Sequence, residues 1–331
     1  MTPLPAKSTQ RRQFLKLLGI TSAGIAAFPA IVRADPLMLT DPVLLHDEGG
    51  GSSPCADSFV TSWYAAVQAN AVSSGDTASI SSSDLEAHCR FYHGLQSDGL
   101  VSSIIAMVTF PNTGALDTHL NGCLTAFIKT AGNSHWPCGG LGVPQFSVNG
   151  LTGTGAGNSS LQTGVLGTNY PSDSSAGIIV YCSAIVNGAS SDDAGYLNDS
   201  GSDSVILLAS RANSGGAMFD ATLGNIGSPA SPGAGYYSLQ RVASNDLRLW
   251  YAKSTSAHAQ LGSTFTGGGG SRGAHEIFFM AGNHWNTGGG FGNTQSTYSL
   301  CAITAGLGGA DDAKLYARGH QLRIDLGGGF V

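Results

Sequence analysis

The chain has 331 residues, and its 15 basic and 21 acidic side chains give a net charge of −6, with only 11% of residues charged. That balance excludes nucleic acid as a partner, which would need basic patches to neutralise phosphates. An apolar share of 42% excludes a disordered chain, and 48 glycines suit an all-β protein of short strands and glycine-rich turns.

The first element is an address. "STQRRQFLKLLGITSAGIAAFPAIVRADP" sets Arg11-Arg12 directly against a Gly- and Ala-rich apolar run, as the basic and apolar regions of an export signal do. It resembles the twin-arginine signal, Ser/Thr-Arg-Arg-x-Phe-Leu-Lys, with Gln10 in place of the hydroxyl residue. Val32-Arg33-Ala34 closes it with a small-x-small cleavage pattern, so residues 1–34 are read as a signal peptide. Leu17 to Val32 is too short and too rich in small residues for a membrane span. The expected location is periplasmic or extracellular, with no stable membrane span once the signal is gone. Removing the signal takes five of the fifteen basic residues and no acid, which leaves a net charge of −11. Six cysteines in an exported chain allow disulfides, but the spacing fixes no pairing. Cys182, in "GIIVYCSAIV", reads as a small buried apolar residue.

Residues 35–57 mix Pro, Gly, Ser and acids without periodicity and read as a linker. Two helices follow. In "SFVTSWYAAVQANA", Phe59, Trp63, Ala66 and Val67 share a face. In "SSSDLEAHCRFYHGL", Ser83 to Glu86 spell a capping box, and Leu85, Cys89, Tyr92 and Leu95 line one side. His88 and His93 on that helix read as surface or satisfied core residues. "LVSSIIAMVTF" extends the helical part or opens a sheet, and periodicity does not decide which. Residues 58–144 are therefore taken as a helical hairpin and attachment region.

From residue 145 to 331 the texture is of strands. "AGIIVYCSAIV", "DSVILLASR", "GYYSLQRV", "LRLWYAK", "HEIFFMAG" and "TYSLCAITAG" are short apolar or alternating runs between turn-rich stretches. "GADDAKLYARGHQLRIDL" closes the chain as a helix with acids in its first turn, as the macrodipole prefers. The expected fold is mainly β, a jelly-roll β-sandwich with an N-terminal helical hairpin and a short C-terminal helix.

The order of several segments carries a resemblance. "SFVTSWYAAVQANAVSSGDTASISSSDLEAHCRFYHGLQSDGL" is similar to the helical hairpin that precedes jelly-roll modules in phage and bacterial proteins. "FSVNGLTGTGAGNSSLQTGV" and "RVASNDLRLWYAKSTSAHAQLGS" are similar to their leading strand and strand pair, and residues from "NTGGGFGNTQSTYSL" onward to their last strand and closing helix. The whole resembles the concanavalin A-like lectin/glucanase (laminin-G-like) sandwich over residues 58–331. That resemblance implies a two-sheet fold that binds sugars or serves as a structural head, and does not by itself imply catalysis. The pair after Tyr251 carries "KSTSAHA" where an Asn-Gly turn is usual, a departure at the hairpin tip.

The chain has no P-loop, and Phe279 stands where a zincin's second His must be. Glycosidases need two carboxyls facing one cleft. The only glutamates are Glu48, Glu86 and Glu276, so a pair must join Glu276 to a distant Asp220 or Asp246. Oxygen donors concentrate at Asp192, Asp193, Asp199 and Asp203, a candidate calcium site that also fits a plain solvated turn. No other cofactor is expected. Trp285 in "GNHWNTGGG", flanked by Asn283, His284 and Asn286, suits stacking on a sugar face, and Trp136 in "NSHWPCGG" is similar; a half-buried sandwich position is the competing reading of Trp285. Trp250 sits in an alternating strand and reads as core.

The function expected from sequence is an exported, non-catalytic carbohydrate-binding or structural surface module whose partner is a glycan or another cell-envelope component. Two alternatives stand beside it: a polysaccharide hydrolase or lyase on the same fold, and a phage-like fibre or virion component in which the sandwich supports a homo-oligomer.

Overall fold

The structure is a computed structural model that describes residues 55–73, 80–110, 125–139, 145–147, 149–153, 160–186, 192–197, 203–209, 213–219, 226, 230–254, 256–267, 270–284, 289–291 and 294–328. The expected signal and nearly all of the expected linker lie outside these residues. Helices α1 (Ser58–Ser73) and α2 (Ser82–Ser97) come first, then a 3₁₀ turn (Val101–Ser103). Asp57 caps α1 by accepting from the Phe59 and Val60 amides at 2.8 and 3.2 Å. The cap of α2 is Ser81, whose hydroxyl accepts from the Asp84 amide at 3.1 Å, two residues ahead of the expected box. None of the described helices is long and apolar enough to cross a membrane.

Seventeen strands follow among the described residues. The first sheet runs β13-β12-β11-β7-β17-β1-β2, with β4 (Gln145–Ser147) and β5 (Gly150–Thr152) at its side. Its members are β13 (Ser256–Phe265), β12 (Asp246–Lys253), β11 (Gly235–Ala243), β7 (Ala176–Ala184), β17 (Thr297–Thr304), β1 (Ile104–Thr109) and β2 (Ile128–Lys129). The second runs β10-β9-β8-β14-β6-β3: β10 (Gly215–Met218), β9 (Val205–Leu208), β8 (Ala194–Leu197), β14 (Glu276–Phe279), β6 (Ser160–Leu166) and β3 (Cys138–Gly139). Off its path lie β15 (Gly282–His284), which runs parallel to β8, and β16 (Gly289–Phe291). All other pairs are antiparallel, so the chain is a mainly β sandwich. "LVSSIIAMVTF" opens the first sheet instead of extending the helices, and β1 to β3 join both sheets. The expected boundary at 144/145 therefore falls inside the sheets.

Two apolar layers explain the sequence texture. Between the sheets, Ile178, Val180, Leu239, Leu249 and Ile303 face Leu161, Val165, Val205, Leu207, Ile277 and Phe279. On the other side of the first sheet, Ile179, Tyr181, Tyr236, Leu300 and Ala302 pack against α1, α2 and the last helix, α3 (Gly309–Asp325), through Trp63, Val67, Phe91, Leu95, Leu315 and Leu322. Strands β7 and β17 are thus covered on both faces. That is why "AGIIVYC" and "TYSLCAIT" read as continuous apolar runs without alternation. Cys182 and Cys301 are buried and reduced here, while Cys55 and Cys89 form a disulfide that ties the start of α1 to α2.

His88 is fully buried under Trp63 and Phe127. Its Nδ1 donates to the Asp84 carbonyl at 2.7 Å, so Nε2 accepts from the Thr109 hydroxyl at 3.1 Å. Burial pushes its pKa down to about 4. The unfolded chain binds a proton near pH 6.5 and the folded chain does not, so stability is present above 6.5 and is lost as pH falls towards 4. The linkage is worth about 3 kcal/mol across that window. Burial also lowers His135 and His320, which adds in the same direction. Urea midpoints are expected to drop between pH 7 and pH 5, and His88→Gln should flatten much of that slope.

Candidate functional site

The helical layer covers the outer side of the first sheet, and among the described residues no helix covers the outer side of the second, the open face. Strand alternation decides which side chains reach it. In β6, Leu161, Thr163 and Val165 point inward, so Gln162, Gly164 and Leu166 point out and are half-exposed. In β14, Ile277 and Phe279 point inward, so Glu276 and Phe278 point out, Glu276 half-exposed and Phe278 opposite Gln162.

Gly164 organises this face. Its φ of 67° is a left-handed conformation that glycine adopts without strain. Its amide donates to Glu276 Oε1 at 2.7 Å. The exposed Asn133 lies directly over it, where any added Cβ would strike the Asn133 side chain. Asn283, half-exposed on β15, donates from Nδ2 to the Glu276 carbonyl at 2.9 Å. Glu276 therefore joins Asn283 directly and Asn133 through Gly164, and Gln162 lies two positions along the same face of β6, a set of one carboxyl and three amides. Burial raises the Glu276 pKa, and the Gly164 amide opposes this only in part. Gly164→Ala is expected to displace Asn133 and to cost about 1 kcal/mol or more in denaturant titration, because the new Cβ meets both a strained φ and a neighbour.

Of the residues expected to stack on or hold a sugar, Asn283 is in this group. Trp285 and Asn286 lie outside the described residues, as does the side chain of His284. Trp136 is a correction: it is fully buried, stacks on Phe279 with centroids 5.6 Å apart, and donates from its indole to the Asn133 carbonyl. Its flanking polar residues gave a loop texture, yet the ring fills the core between the sheets and presents no face to a ligand.

The proposed calcium donors are also dispersed. Asp193 is fully buried and commits both oxygens, one to the Tyr298 hydroxyl at 2.5 Å and one to the Ala209 amide at 2.6 Å. It is a strut between core strands, not part of a solvated turn. Asp192 is buried against Gly282, and Asp203 lies 3.5 Å from His275 Nε2. Asp199 lies outside the described residues. Among the described residues no group of three His, Cys, Asp or Glu is placed to hold a metal ion.

The carboxyls considered as partners for Glu276 do not join it. Asp246 belongs to the other sheet and is engaged by Arg248 at 2.6 and 2.8 Å. Asp220 lies outside the described residues. His275, next to Glu276 in sequence, turns the other way, towards Asp203 and the Tyr196 ring.

A second polar constellation, on the helix-covered side, was not foreseen. Asp312 in the first turn of α3 is fully buried and accepts from the Tyr236 hydroxyl at 2.9 Å, the Ser238 hydroxyl at 2.5 Å and His258 Nε2 at 2.7 Å. Burial first, and the Asp312 charge second, push the Tyr236 hydroxyl well above its ordinary value. Trp250, expected in the core, instead lies half-buried on this side, stacked on His258 with Arg248 beyond it and Gly309 of α3 resting on its edge. The sequence held a signal for Asp312: it shares helical spacing with Leu315, Gly319 and Leu322, so a carboxyl lies on the apolar stripe.

No protein-family model matches the chain, and no curated protein matches it. Solved structures give remote likenesses. One is an arabinofuranosidase complexed with arabinofuranosyl-α-1,2-xylobiose, at 13% identity and a TM-score of 0.40, covering 66% of this chain and 48% of that one. Another is a mutant GH54 α-L-arabinofuranosidase soaked with a nitrophenyl arabinofuranoside, at 10% identity and 0.42, covering 71% and 65%. A third is a Trypanosoma rangeli sialidase in complex with difluorosialic acid, at 9% identity and 0.35, covering 70% and 39%. This chain spans about half the length of the first. At these scores none of them assigns a family or an activity.

Proposed function

We propose that the protein is an exported, non-catalytic carbohydrate-binding module of the concanavalin A-like kind, and that it binds glycan on the open face of the second sheet. The observation that carries this reading is the grouping of Glu276, Gln162, Asn133 and Asn283 around Gly164. One carboxyl and three amides offer donors and acceptors in the alternation that sugar hydroxyls present. In affinity electrophoresis through gels containing plant and bacterial polysaccharides, the processed chain is expected to be retarded by at least one. Glu276→Ala and Asn283→Ala should each weaken retention about tenfold, the loss of roughly one hydrogen bond. No retardation by any polysaccharide, or retardation unchanged in both variants, would remove the reading.

A second reading, a polysaccharide hydrolase, draws on one fact. The Glu276 pKa is raised by burial, as a general acid's must be. Release of reducing ends that disappears in Glu276→Gln would select the enzyme over the binding module.

A further inference from the structure

Beyond any ligand-binding role, the buried polar cluster under α3 holds the parts of a covalent bond-forming site. Strands β11, β7 and β17 are adjacent, and Gly177 in the middle strand registers with Gln240 on one side and Thr304 on the other. Since Gly177 has no side chain, the two outer residues reach across it. An added Cβ there would overlap both Gln240 Oε1 and Thr304 Oγ1. The Thr304 hydroxyl donates to Gln240 Oε1 at 3.3 Å, Gln240 is 1% exposed and Thr304 is fully buried.

The surroundings of the Gln240 carboxamide are divided by chemical need. On the oxygen side, the Leu307 backbone amide donates to Oε1 at 2.8 Å, where negative charge would build if the carbonyl were attacked. On the nitrogen side, Nε2 donates to Ser238 Oγ at 2.8 Å and lies 3.5 Å from Asp312 Oδ1. Ser238 donates in turn to Asp312, and Asp312 is bonded through its other oxygen to His258. His258, with its side chain 10% exposed, is the member of the relay nearest to solvent.

We infer that Thr304 and Gln240 are the two halves of an intramolecular ester crosslink between β17 and β11. Thr304 Oγ attacks Gln240 Cδ, and the tetrahedral oxyanion is held by the Leu307 amide. The Oγ–Cδ bond forms and the Cδ–Nε2 bond breaks. The hydroxyl proton ends on the departing nitrogen, which Ser238 and Asp312 hold on that side of the carboxamide, and the product is one ester and one ammonia. No oxidant, reductant or co-reactant takes part. Fixing both groups in a dry, packed site supplies the proximity that such a reaction lacks in solution, and the same burial keeps water from hydrolysing the ester.

The test is mass spectrometry of the folded, processed chain. The intact mass is expected to be lower than calculated by one ammonia, apart from the hydrogens lost to the disulfide. Proteolysis should yield one joined pair of peptides, bearing Gln240 and Thr304, which alkaline hydroxylamine cleaves as it does esters. The joined pair should vanish in Thr304→Val and persist in Thr304→Ser. Linear peptides with intact Gln240 and Thr304 from the folded wild type would overturn the inference, whether or not the variants fold. So would a joined pair that survives Thr304→Val.

Discussion

Replacing Asp312 by alanine is expected to lower folding stability by about 3–5 kcal/mol, the range seen when one member of a buried charged network is removed. Asp312 is fully buried and receives hydrogen bonds from Tyr236, Ser238 and His258. Its loss leaves two buried hydroxyls and an imidazole without an acceptor, and each unmet donor costs about 1–3 kcal/mol. It also opens a void where α3 meets β11. The measurement is chemical denaturation of the variant beside Asp311→Ala. Asp311 occupies the same helical turn but is half in solvent, paired with Lys314 at 2.9 Å, so its change should stay within about 0.5 kcal/mol. Equal losses in the two variants would show that helix-terminal charge, and not the buried network, holds α3 to the sheet.

Removing the Cys55–Cys89 disulfide, as Cys55→Ser with Cys89→Ser, is expected to cost about 3–4 kcal/mol. The bridge closes a loop of 34 residues, and the stabilisation grows with the logarithm of that length. The loop contains all of α1, whose anchors are Trp63, Val67 and Ala71 against α2 and Phe127. Trp63 is 5% exposed and donates to the Thr125 carbonyl. Loosening of α1 should therefore appear as a red shift of tryptophan emission before the sheets unfold. A midpoint unchanged by reductant would mean that the helical layer holds without its covalent tie.

How far the sequence predicted this structure depends on which forces act locally. Strand runs and the closing helix were readable because alternation and helical spacing survive in short windows, as in "LRLWYAK" and "GADDAKLYARGHQLRIDL". The assignment failed where tertiary burial overrode local texture. Trp136 sits among Asn, Ser, His and Gly, yet it is in the core because Phe279, from the other end of the chain, offers it a stacking partner. Trp250 lies in an alternating strand, but its sheet is buried on both faces, so alternation did not tell which core or rim it meets. In the candidate site, Asn283 was identifiable from its own neighbours. Glu276 was noticed only as a carboxyl lacking a partner nearby in sequence. Gln162 and Asn133 were not identifiable at all, since they reach this face only through the pairing of β6 with β14, more than a hundred residues away, and through Gly164.

The position of β17 has a consequence for synthesis. This strand lies between β7 and β1, so the middle of the first sheet stays open until residue 304 has left the ribosome. Such high contact order makes folding slow. Until then the nascent chain carries β7 with one apolar edge open, the kind of segment that chaperones must shield.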